Sequence, residues 1–175
     1  MATACIVPRI VTNLREMTDH PRLNEFVPYL LSITSNAVSG RIAQEYRTRF
    51  GLSVPEWRVM AVLGDSGPLT QRDLTRLTVM DKVAVNRACK VLEERGLASR
   101  RPNAQDGRSH LLELTQSGVR MHDEIMPLAL EMERRLFAKF TPQEVAGFRH
   151  LLDRVRGEVD DLDADDIDSG NFGVE

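Results

Sequence analysis

The stretch MDKVAVNRACKVLEERGL, residues 80–97, decides the fold of this chain because it carries both ends of a helix and two contrasting faces. Asp81 is a favourable N-cap, and Gly96 stands where helices commonly end in a left-handed residue, so a helix is predicted over 82–95. Small or apolar residues recur at helical spacing and define its inner face. They are Val85, Ala88, Cys89 and Leu92.

The opposite face of this predicted helix is slim near its N-terminus and basic further along. A slim face lets the backbone approach a base stack, where Asn can hydrogen-bond adenine, Arg can hydrogen-bond guanine, and Ala or Val can touch a thymine methyl group. The alternative is a surface helix whose basic side chains only keep it solvated. The residues of this face are Lys82, Val83, Ala84, Asn86, Arg87 and Lys90.

A shorter helix is predicted just before it, in LTQRDLTRL at 69–77. Thr70 can cap this helix, and residues 78–80 then lead to the next N-cap. Helix, tight turn and helix is the spacing of a helix-turn-helix. In that arrangement we expect Leu74 and Leu77 to pack against the inner face of the second helix.

Two strands are predicted after the helix, at 97–101 and 109–114, joined by the turn sequence PNAQDGR at 102–108. They would form a two-stranded β-ribbon, or wing. Arg108 at the tip could enter a minor groove, where negative potential is enhanced, with Asp106 orienting its guanidinium by ion-pairing. The alternative is that these residues only make and solubilise the turn. In the ribbon itself, the pair Arg100 and Arg101 could contact phosphates.

Charge is unevenly distributed along the 175 residues, whose formal net charge is −3. The segment 158–175 has eight acids and no base, which leaves 18 acids against 23 bases in 1–157, a charge of +5. Residues 82–108 contain seven bases and three acids, so a local charge of +4 surrounds the predicted helix. Such a patch favours a nucleic-acid partner, although a solvated charged face is the alternative.

Several function classes are disfavoured by the sequence. The histidines have no metal-ligand spacing, and there is no Gly-rich phosphate loop or nucleophile elbow. We therefore expect no enzyme, no metal and no cofactor. No apolar run approaches the ~20 residues that span a membrane, so a cytoplasmic protein with reduced thiols is expected. The four histidines are His20, His110, His122 and His150.

The sequence resembles the MarR family of winged-helix transcription factors, the multiple-antibiotic-resistance regulators. The most specific match is RGLASRRPNAQDGRSHLLELTQSG at 95–118, with its Gly-Leu, Asp-x-Arg and Leu-x-Leu-Thr-x-x-Gly spacing. LSVPEWRVMAVL, PLTQRDLTRL and MDKVAVNRACKVLEERGL resemble three consecutive helices of the family, and the match covers roughly 25–155. Ala84 and Asn86 stand where Ser or Thr is common, which leaves particular base and phosphate contacts open.

The resemblance implies a mainly α fold with a small β-wing, in which a winged helix-turn-helix domain is flanked by N- and C-terminal dimerisation helices. The chain then divides into an irregular arm (1–24), a dimerisation helix (25–50), a DNA-binding lobe (53–115), dimerisation helices (116–158) and a flexible acidic tail (159–175). The outer helices carry more apolar residues than one small winged helix could bury, which agrees with the implied homodimer. These residues are Phe26, Leu30, Leu136, Phe137, Phe140, Phe148 and Leu151.

The implied function is that of a sequence-specific regulator of double-stranded DNA, most commonly a homodimeric repressor that a small ligand releases from a pseudo-palindromic operator. The two 82–95 helices of a dimer would enter successive major grooves. The expected DNA contacts are Thr70, Gln71, Lys82, Val83, Ala84, Asn86, Arg87, Lys90, Arg100, Arg101, Asp106 and Arg108.

Family members often respond to an aromatic acid or a related compound, such as an aldehyde or CoA thioester, held between the dimer arms and the DNA-binding lobe. A small polar stripe on the first long helix is the candidate site here, with an arginine to pair a ligand carboxylate. The alternative is that the small residues only let helices pack closely. The candidate residues are Ser32, Ser35, Asn36, Ser39, Arg41, Trp57, Arg58 and Met60.

Two other functions remain as alternatives. A redox-sensing regulator would use Cys5 and Cys89, but Cys89 lies on the predicted inner face, where an inert thiol is the simpler prediction. A winged helix used only for protein contacts would show an acidic or apolar recognition face and no salt-dependent DNA affinity. The basic face of the 82–95 helix argues against that second alternative.

Overall fold

The computed structural model describes residues 22–161, which form six helices and three short strands. The predicted fold class, mainly α with a small β-wing, is confirmed. Most of the predicted N-terminal arm and acidic tail, including Cys5, lies outside the described residues. The elements are α1 (Val27–Phe50), α2 (Val54–Ser66), β1 (Leu69–Thr70), α3 (Gln71–Thr78), α4 (Lys82–Glu94), β2 (Ala98–Pro102), β3 (His110–Leu114), α5 (Gln116–Leu136) and α6 (Pro142–Asp161).

Helices α3 and α4 form the predicted helix-turn-helix, and each begins at a side-chain cap. The Thr70 hydroxyl accepts a hydrogen bond of 3.2 Å from a backbone amide in the first turn of α3, and the Asp81 carboxylate accepts one of 2.8 Å in α4. The turn is tighter than predicted, since α3 continues to Thr78 and Val79 then takes a left-handed conformation with φ 51°. A β-branched residue rarely adopts that conformation, so the turn stores backbone strain.

The inner face of α4 is buried as predicted, and none of its four residues is more than 3% exposed. Leu74 is also fully buried, but Leu77 is 41% exposed, so the expected contact through Leu77 is wrong. The reason is that α3 has only eight residues and turns Leu74 and Thr78 inward instead. Helix α4 packs most extensively on α2, whose buried residues are Val59, Met60 and Leu63.

The wing belongs to a three-stranded antiparallel sheet in the order β1-β3-β2, one strand more than predicted. The extra strand is β1, in which Leu69 lies opposite Leu112. Two residues are too few to show an alternating pattern, so the sequence of β1 gave no strand signal. Because β1 leads directly into α3, the sheet fixes the start of α3 to the base of the wing.

The start of α5 is joined to the end of α4. Thr115 caps α5 by accepting a hydrogen bond of 3.1 Å from the Gly118 amide, and its own hydroxyl donates to the Gly96 carbonyl oxygen at 2.7 Å. The Thr115 amide also donates to the Leu97 carbonyl oxygen at 3.0 Å. Any Cβ atom at Gly118 would collide with that same carbonyl group of Leu97. The Leu-Thr-x-x-Gly sequence therefore brings the two backbones into contact.

The outer helices α1 and α5 join the lobe that contains α2, α3, α4 and the sheet through the buried residues Ala43, Tyr46 and Ile125. Helix α5 ends at Leu136, and the chain then turns around the rings of Phe137, Phe140 and Phe148. A hydrogen bond of 2.7 Å from Arg149 to Glu133 also joins α6 to α5. No helix among residues 22–161 is long and apolar enough to cross a membrane.

Candidate DNA interface

The outward face of α4 is exposed over its first three turns. Val83 is 58% exposed, Ala84 is half-buried, and Asn86 and Arg87 reach into solvent. Lys90 lies 3.6 Å from Glu94 one turn along, a contact of little strength between exposed side chains. Val83 and Ala84 therefore lie nearer the N-terminus of α4 than the longer polar side chains. This arrangement lets the backbone approach a nucleic-acid groove.

The wing tip is built by backbone hydrogen bonds rather than by the ion pair expected there. The Asp106 carboxylate accepts a hydrogen bond of 3.0 Å from the Arg108 backbone amide, and no ion pair joins the two side chains. A carboxylate two residues before an amide makes a typical Asx turn, which outcompetes the ion pair. Among residues 22–161 the Arg108 guanidinium has no acidic partner, so it projects from the tip as a free cation.

Two predicted phosphate contacts are paired within the chain. Arg100 of β2 forms an ion pair with Glu93 of α4, and Arg101 donates a hydrogen bond of 2.9 Å to Glu113 of β3. Each carboxylate comes from an adjacent element, so the pairs also hold β2 against its neighbours. Binding of a phosphate by either arginine would require exchange of its partner.

A polar groove of about 720 Å³ lies between the start of α3 and the wing. Its walls carry the basic residues Arg72, Arg76, Arg100 and Arg108. Arg72 and Arg76 are not among the contacts expected from the sequence, although their i, i+4 spacing in QRDLTRL places them on one face of α3. Since Arg100 also pairs with Glu93, the groove lies beside α4. The carboxylates of Asp73 and Asp106 also line the groove, so its four guanidinium groups leave a net positive charge, which favours anionic groups.

Thr70 and Gln71 line the same groove, but Thr70 is occupied by its capping role. Its hydroxyl donates to the Asp73 carboxylate at 2.6 Å and accepts from the Asp73 amide. The hydrogen bond from the Thr70 hydroxyl is the main reason that the pKa of the Asp73 carboxyl lies below its usual value. Thr70 therefore shapes the groove, and its hydroxyl is already occupied, whereas Gln71 also lines the groove.

A second, apolar cavity of about 590 Å³ lies between α1, the turn after α5, and α6. Ser35 and Ser39 of the predicted effector stripe line it. The Arg58 Nη2 atom lies 3.4 Å from the Ser39 Oγ atom, which brings a guanidinium to the edge of the cavity. The apolar part of the lining is Leu31, Val38, Leu136, Phe137, Phe140, Phe148 and Leu152.

The other predicted effector residues do not meet in this cavity. Met60 is completely buried in the core of the lobe, and Arg41 forms an ion pair of 2.9 Å with Glu45. Ser32 and Asn36 are exposed on other sides of α1. The stripe was drawn from helical spacing alone, which does not reveal which neighbouring helix covers which face.

An aromatic cluster fills the junction of α1, α2 and α5. The Trp57 ring lies 5.7 Å from the Tyr46 ring and stacks on His122 at 5.9 Å between centroids. His122 fits because Gly64 has no side chain, since a Cβ atom there would come within 2.5 Å of the imidazole. This packing role of His122 was not predicted from the sequence, because it depends on contacts between three helices that are distant along the chain.

Comparison with known proteins gives a consistent result. A family model described as MarR family matches residues 50–109. An uncharacterized HTH-type transcriptional regulator of Bacillus subtilis, YwoH, is 33% identical over 110 residues, which is 63% of this chain and 80% of that protein. The chain belongs to the MarR family. It is therefore a helix-turn-helix transcriptional regulator by family, and its family is not one of enzymes.

The similarity to MarR-family structures extends beyond the lobe to the outer helices. A probable transcriptional regulator from Pseudomonas aeruginosa superposes with a TM-score of 0.63 at 30% identity, covering 77% of this chain and 99% of that one. A mutant of Escherichia coli MarR, crystallised with operator DNA, superposes with a TM-score of 0.67 at 25% identity, covering 78% and 99%. The matched family region, 50–109, contains α2, α3, α4 and most of the wing.

Proposed function

We propose that this MarR-family protein is a homodimeric repressor that binds a pseudo-palindromic operator through α4, the wing and the groove between α3 and the wing. The observation that carries the proposal is the exposed basic face of α4 beside a groove lined by four arginines. In a dimer with two-fold symmetry, the two α4 helices would meet major grooves about one helical turn of DNA apart.

The side chains divide between reading bases and holding phosphates. Asn86 and Arg87 have the length and the donors to hydrogen-bond base edges, while Val83 can touch a thymine methyl group. Lys82, at the N-terminus of α4, suits a phosphate. Within the described part of the chain Arg108 has no acidic partner, which supports its insertion into a minor groove.

Arg72 and Arg76 add a phosphate contact on the α3 side of the groove. Both side chains line the groove, and Arg76 lies only 3.8 Å from Asp73, a weak exposed contact. Phosphate contacts fix the register of a protein on DNA without carrying sequence information. These two arginines therefore contribute affinity, and α4 contributes specificity.

The homodimer is supported by a broad apolar surface that a single chain leaves exposed. Six large apolar side chains of the outer helices are more than one-third exposed in the single chain, as expected if a second chain covers them. They are Phe26, Leu30, Leu136, Phe140, Phe148 and Leu151. Soluble proteins rarely expose so many large apolar side chains together unless another surface covers them. We assign the surface that covers Phe26, Leu30 and Leu151 to the same helices of a second copy, whereas Leu136, Phe140 and Phe148 also line the cavity between α1 and α6.

The effector in this proposal is a small aromatic acid, or a related aldehyde or CoA thioester, bound at the cavity of α1 and α6. Its ring would lie among Phe137, Phe140 and Phe148, and its carboxylate would lie near Arg58 and Ser39. A cavity of about 590 Å³ is of the size that holds small ligands. Binding there would favour one arrangement of the outer helices and so shift the population away from the DNA-binding state.

The test is selection of duplexes from a random-sequence library, followed by a mobility shift of the selected duplex at several salt concentrations. We expect binding that weakens steeply with salt, and loss of discrimination between sites in Arg87→Ala. A panel of aromatic acids, aldehydes and CoA thioesters is then added. Binding that is weak and insensitive to salt would contradict DNA recognition, and a panel without effect would contradict the effector class.

Arg58→Gln tests the effector site separately, with Arg49→Gln as its matched control. Arg49 is an exposed cation in the last turn of α1 and does not line the cavity. We expect Arg58→Gln to raise the concentration of acid needed for release about tenfold or more while DNA affinity without ligand stays the same. An equal response of both variants would remove Arg58 from the site.

A further inference from the structure

We infer that Arg95 is a positioning residue that fixes the recognition helix α4 to the end of α1 and thereby sets the spacing of the two DNA half-sites. This inference rests on the proposed function for its dimer and its DNA. The residue itself lies at the C-terminal end of α4, away from the face assigned to DNA.

The Arg95 guanidinium holds the C-terminus of α1 by two hydrogen bonds. Its Nη2 atom donates to the Phe50 carbonyl oxygen at 2.7 Å, and its Nη1 atom donates to the Gly51 carbonyl oxygen at 3.0 Å. These carbonyl groups belong to a helix end, where no further turn supplies amide donors. The end of a helix also carries partial negative charge, which a cation stabilises.

The geometry requires the local conformation of both helix ends. Gly51 adopts a left-handed φ of 65°, with its amide bound to the Arg47 carbonyl oxygen, so α1 stops and its last carbonyl groups remain exposed. Gly96 adopts the same φ directly after Arg95 and turns the chain back towards Leu97. The guanidinium of Arg95 thus binds the carbonyl group of Phe50, which lies 45 residues earlier in the sequence.

The residues directly after Arg95 are held by α5. The Thr115 hydroxyl binds the Gly96 carbonyl oxygen, the Thr115 amide binds the Leu97 carbonyl oxygen, and Gly118 packs against that same group. The C-terminal end of α4 is therefore a joint at which α1 and α5 converge. In the proposed dimer both of those helices belong to the dimerisation arms. A change in the position of the arms therefore changes the position of α4.

A small rotation at this joint has a large effect at the DNA. Helix α4 has 13 residues, and its DNA face begins at Lys82, at the end opposite Arg95. At about 1.5 Å per residue, a tilt of about 5° displaces that end by roughly 2 Å. The two α4 helices of a dimer can move apart together, so the change approaches the rise of about 3.4 Å of one base pair.

The experiment compares three duplexes that share the selected half-sites and differ by one base pair in spacing, plus a duplex with a single half-site. Wild-type protein is expected to prefer the selected spacing at least tenfold over the spacings one base pair longer and shorter. In Arg95→Ala we expect this preference to fall below threefold, while affinity for the single half-site changes less than twofold. Arg95→Lys keeps the charge without the forked geometry and is expected to behave in between.

The matched control is Arg47→Ala, which removes an exposed cation from the same end of α1 but no contact to α4. It should keep the wild-type preference for spacing. The inference is overturned if Arg95→Ala binds all duplexes more weakly by one common factor, because that pattern indicates a loss of charge or stability alone. The inference is also overturned if Arg95→Lys and Arg95→Ala are both folded and both keep the wild-type preference for half-site spacing.

The two proposals fail in different ways. If wild-type protein binds no duplex with salt-dependent affinity, the proposed function fails before the spacing is tested. If wild-type protein binds with a sharp preference for spacing and Arg95→Ala keeps that preference, the DNA-binding function is supported. The proposed role of Arg95 in setting the spacing is then wrong. Thermal unfolding by circular dichroism verifies that each variant is folded at the temperature of the binding measurement.

Discussion

Arg108 and Arg101 belong to the same wing but differ in whether a carboxylate already holds them. Arg108 is unpaired among residues 22–161, whereas Arg101 is held by Glu113. We expect Arg108→Ala to weaken operator binding about tenfold or more and to lower the salt slope by about one. Arg101→Ala serves as the control and should cost less than threefold. Equal losses in mobility-shift titrations would show that Glu113 does not restrain Arg101.

The Cys89 thiol is expected to be chemically inert in the folded protein. Burial in the inner face of α4 raises its pKa to about 11, so the reactive thiolate is scarce at neutral pH. In a Cys5→Ser background, a thiol reagent at pH 8 should label Cys89 only after denaturant is added. Rapid labelling of the native protein would contradict this and favour the redox-sensing alternative.

The raised pKa of the Cys89 thiol also makes the stability of the fold depend on pH in the alkaline range. The folded-state pKa of Cys89 lies above the ordinary value of 9.0, so the folded protein keeps the thiol proton that the unfolded chain releases. The contribution to stability is fully present below about pH 9 and is lost as the pH rises towards 11. Urea unfolding of wild type and Cys89→Ala should therefore show a difference that changes only above pH 9.

At the scale of elements, the joint between α4 and α5 depends on the missing side chain of Gly118. A Cβ atom there would overlap the Leu97 carbonyl group, so Gly118→Ala is expected to destabilise the fold by about 2 kcal/mol or more. Gly157 of α6 has no atom near its Cβ position and lies on the side of the helix opposite Phe148. Gly157→Ala should stabilise by about 0.5–1 kcal/mol. Urea unfolding that ranks the two variants otherwise would refute the close contact.

The helix-turn-helix could be predicted because its signals are local. The caps at Thr70 and Asp81 and the periodic inner face of α4 depend on neighbouring residues, and the structure reproduces them. Strand β1 could not be predicted, because two residues pair only with a strand that follows about 40 residues later. The contacts of Arg95 are equally non-local, and nothing in its own surroundings indicates them.

The candidate site was predictable to different degrees in its two parts. The exposed face of α4 follows from helical spacing, so its six residues were found from the sequence. The groove needs α3 and the wing to meet in space, which is why Arg72 and Arg76 were missed. Only part of the predicted effector site lies together in the structure. Ser35 and Ser39 line the apolar cavity, whereas Met60 is buried in the core.

At the scale of the whole molecule, the apolar face of α6 should decide whether two copies associate. Leu151 is 55% exposed in the single chain, so Leu151→Glu would place a carboxylate in the proposed dimer interface. A buried unpaired charge is costly, and we expect sedimentation equilibrium to show monomers at micromolar concentration. Affinity for the two-site operator should then fall at least a hundredfold, towards that of a single half-site.

His150→Glu is the control for this prediction. His150 is exposed and lies roughly opposite Phe148 around α6, so the same acid is added on the polar side of the same helix. This variant should remain dimeric. Two variants that both dissociate would point to general destabilisation of α6, and two that both stay dimeric would place the interface elsewhere.

The ion pairs of Arg100 with Glu93 and of Arg101 with Glu113 bear on how the protein searches a genome. A carboxylate beside an arginine lowers the local positive charge, so each pair lowers the attraction to DNA of any sequence. A regulator must find its operator among roughly 10⁶–10⁹ competing sites, and general attraction lengthens its stay at every one of them. In the proposed complex, Glu93 and Glu113 would thus shorten the residence time on ordinary DNA, and the contacts expected of Arg87 and Arg108 would distinguish the operator.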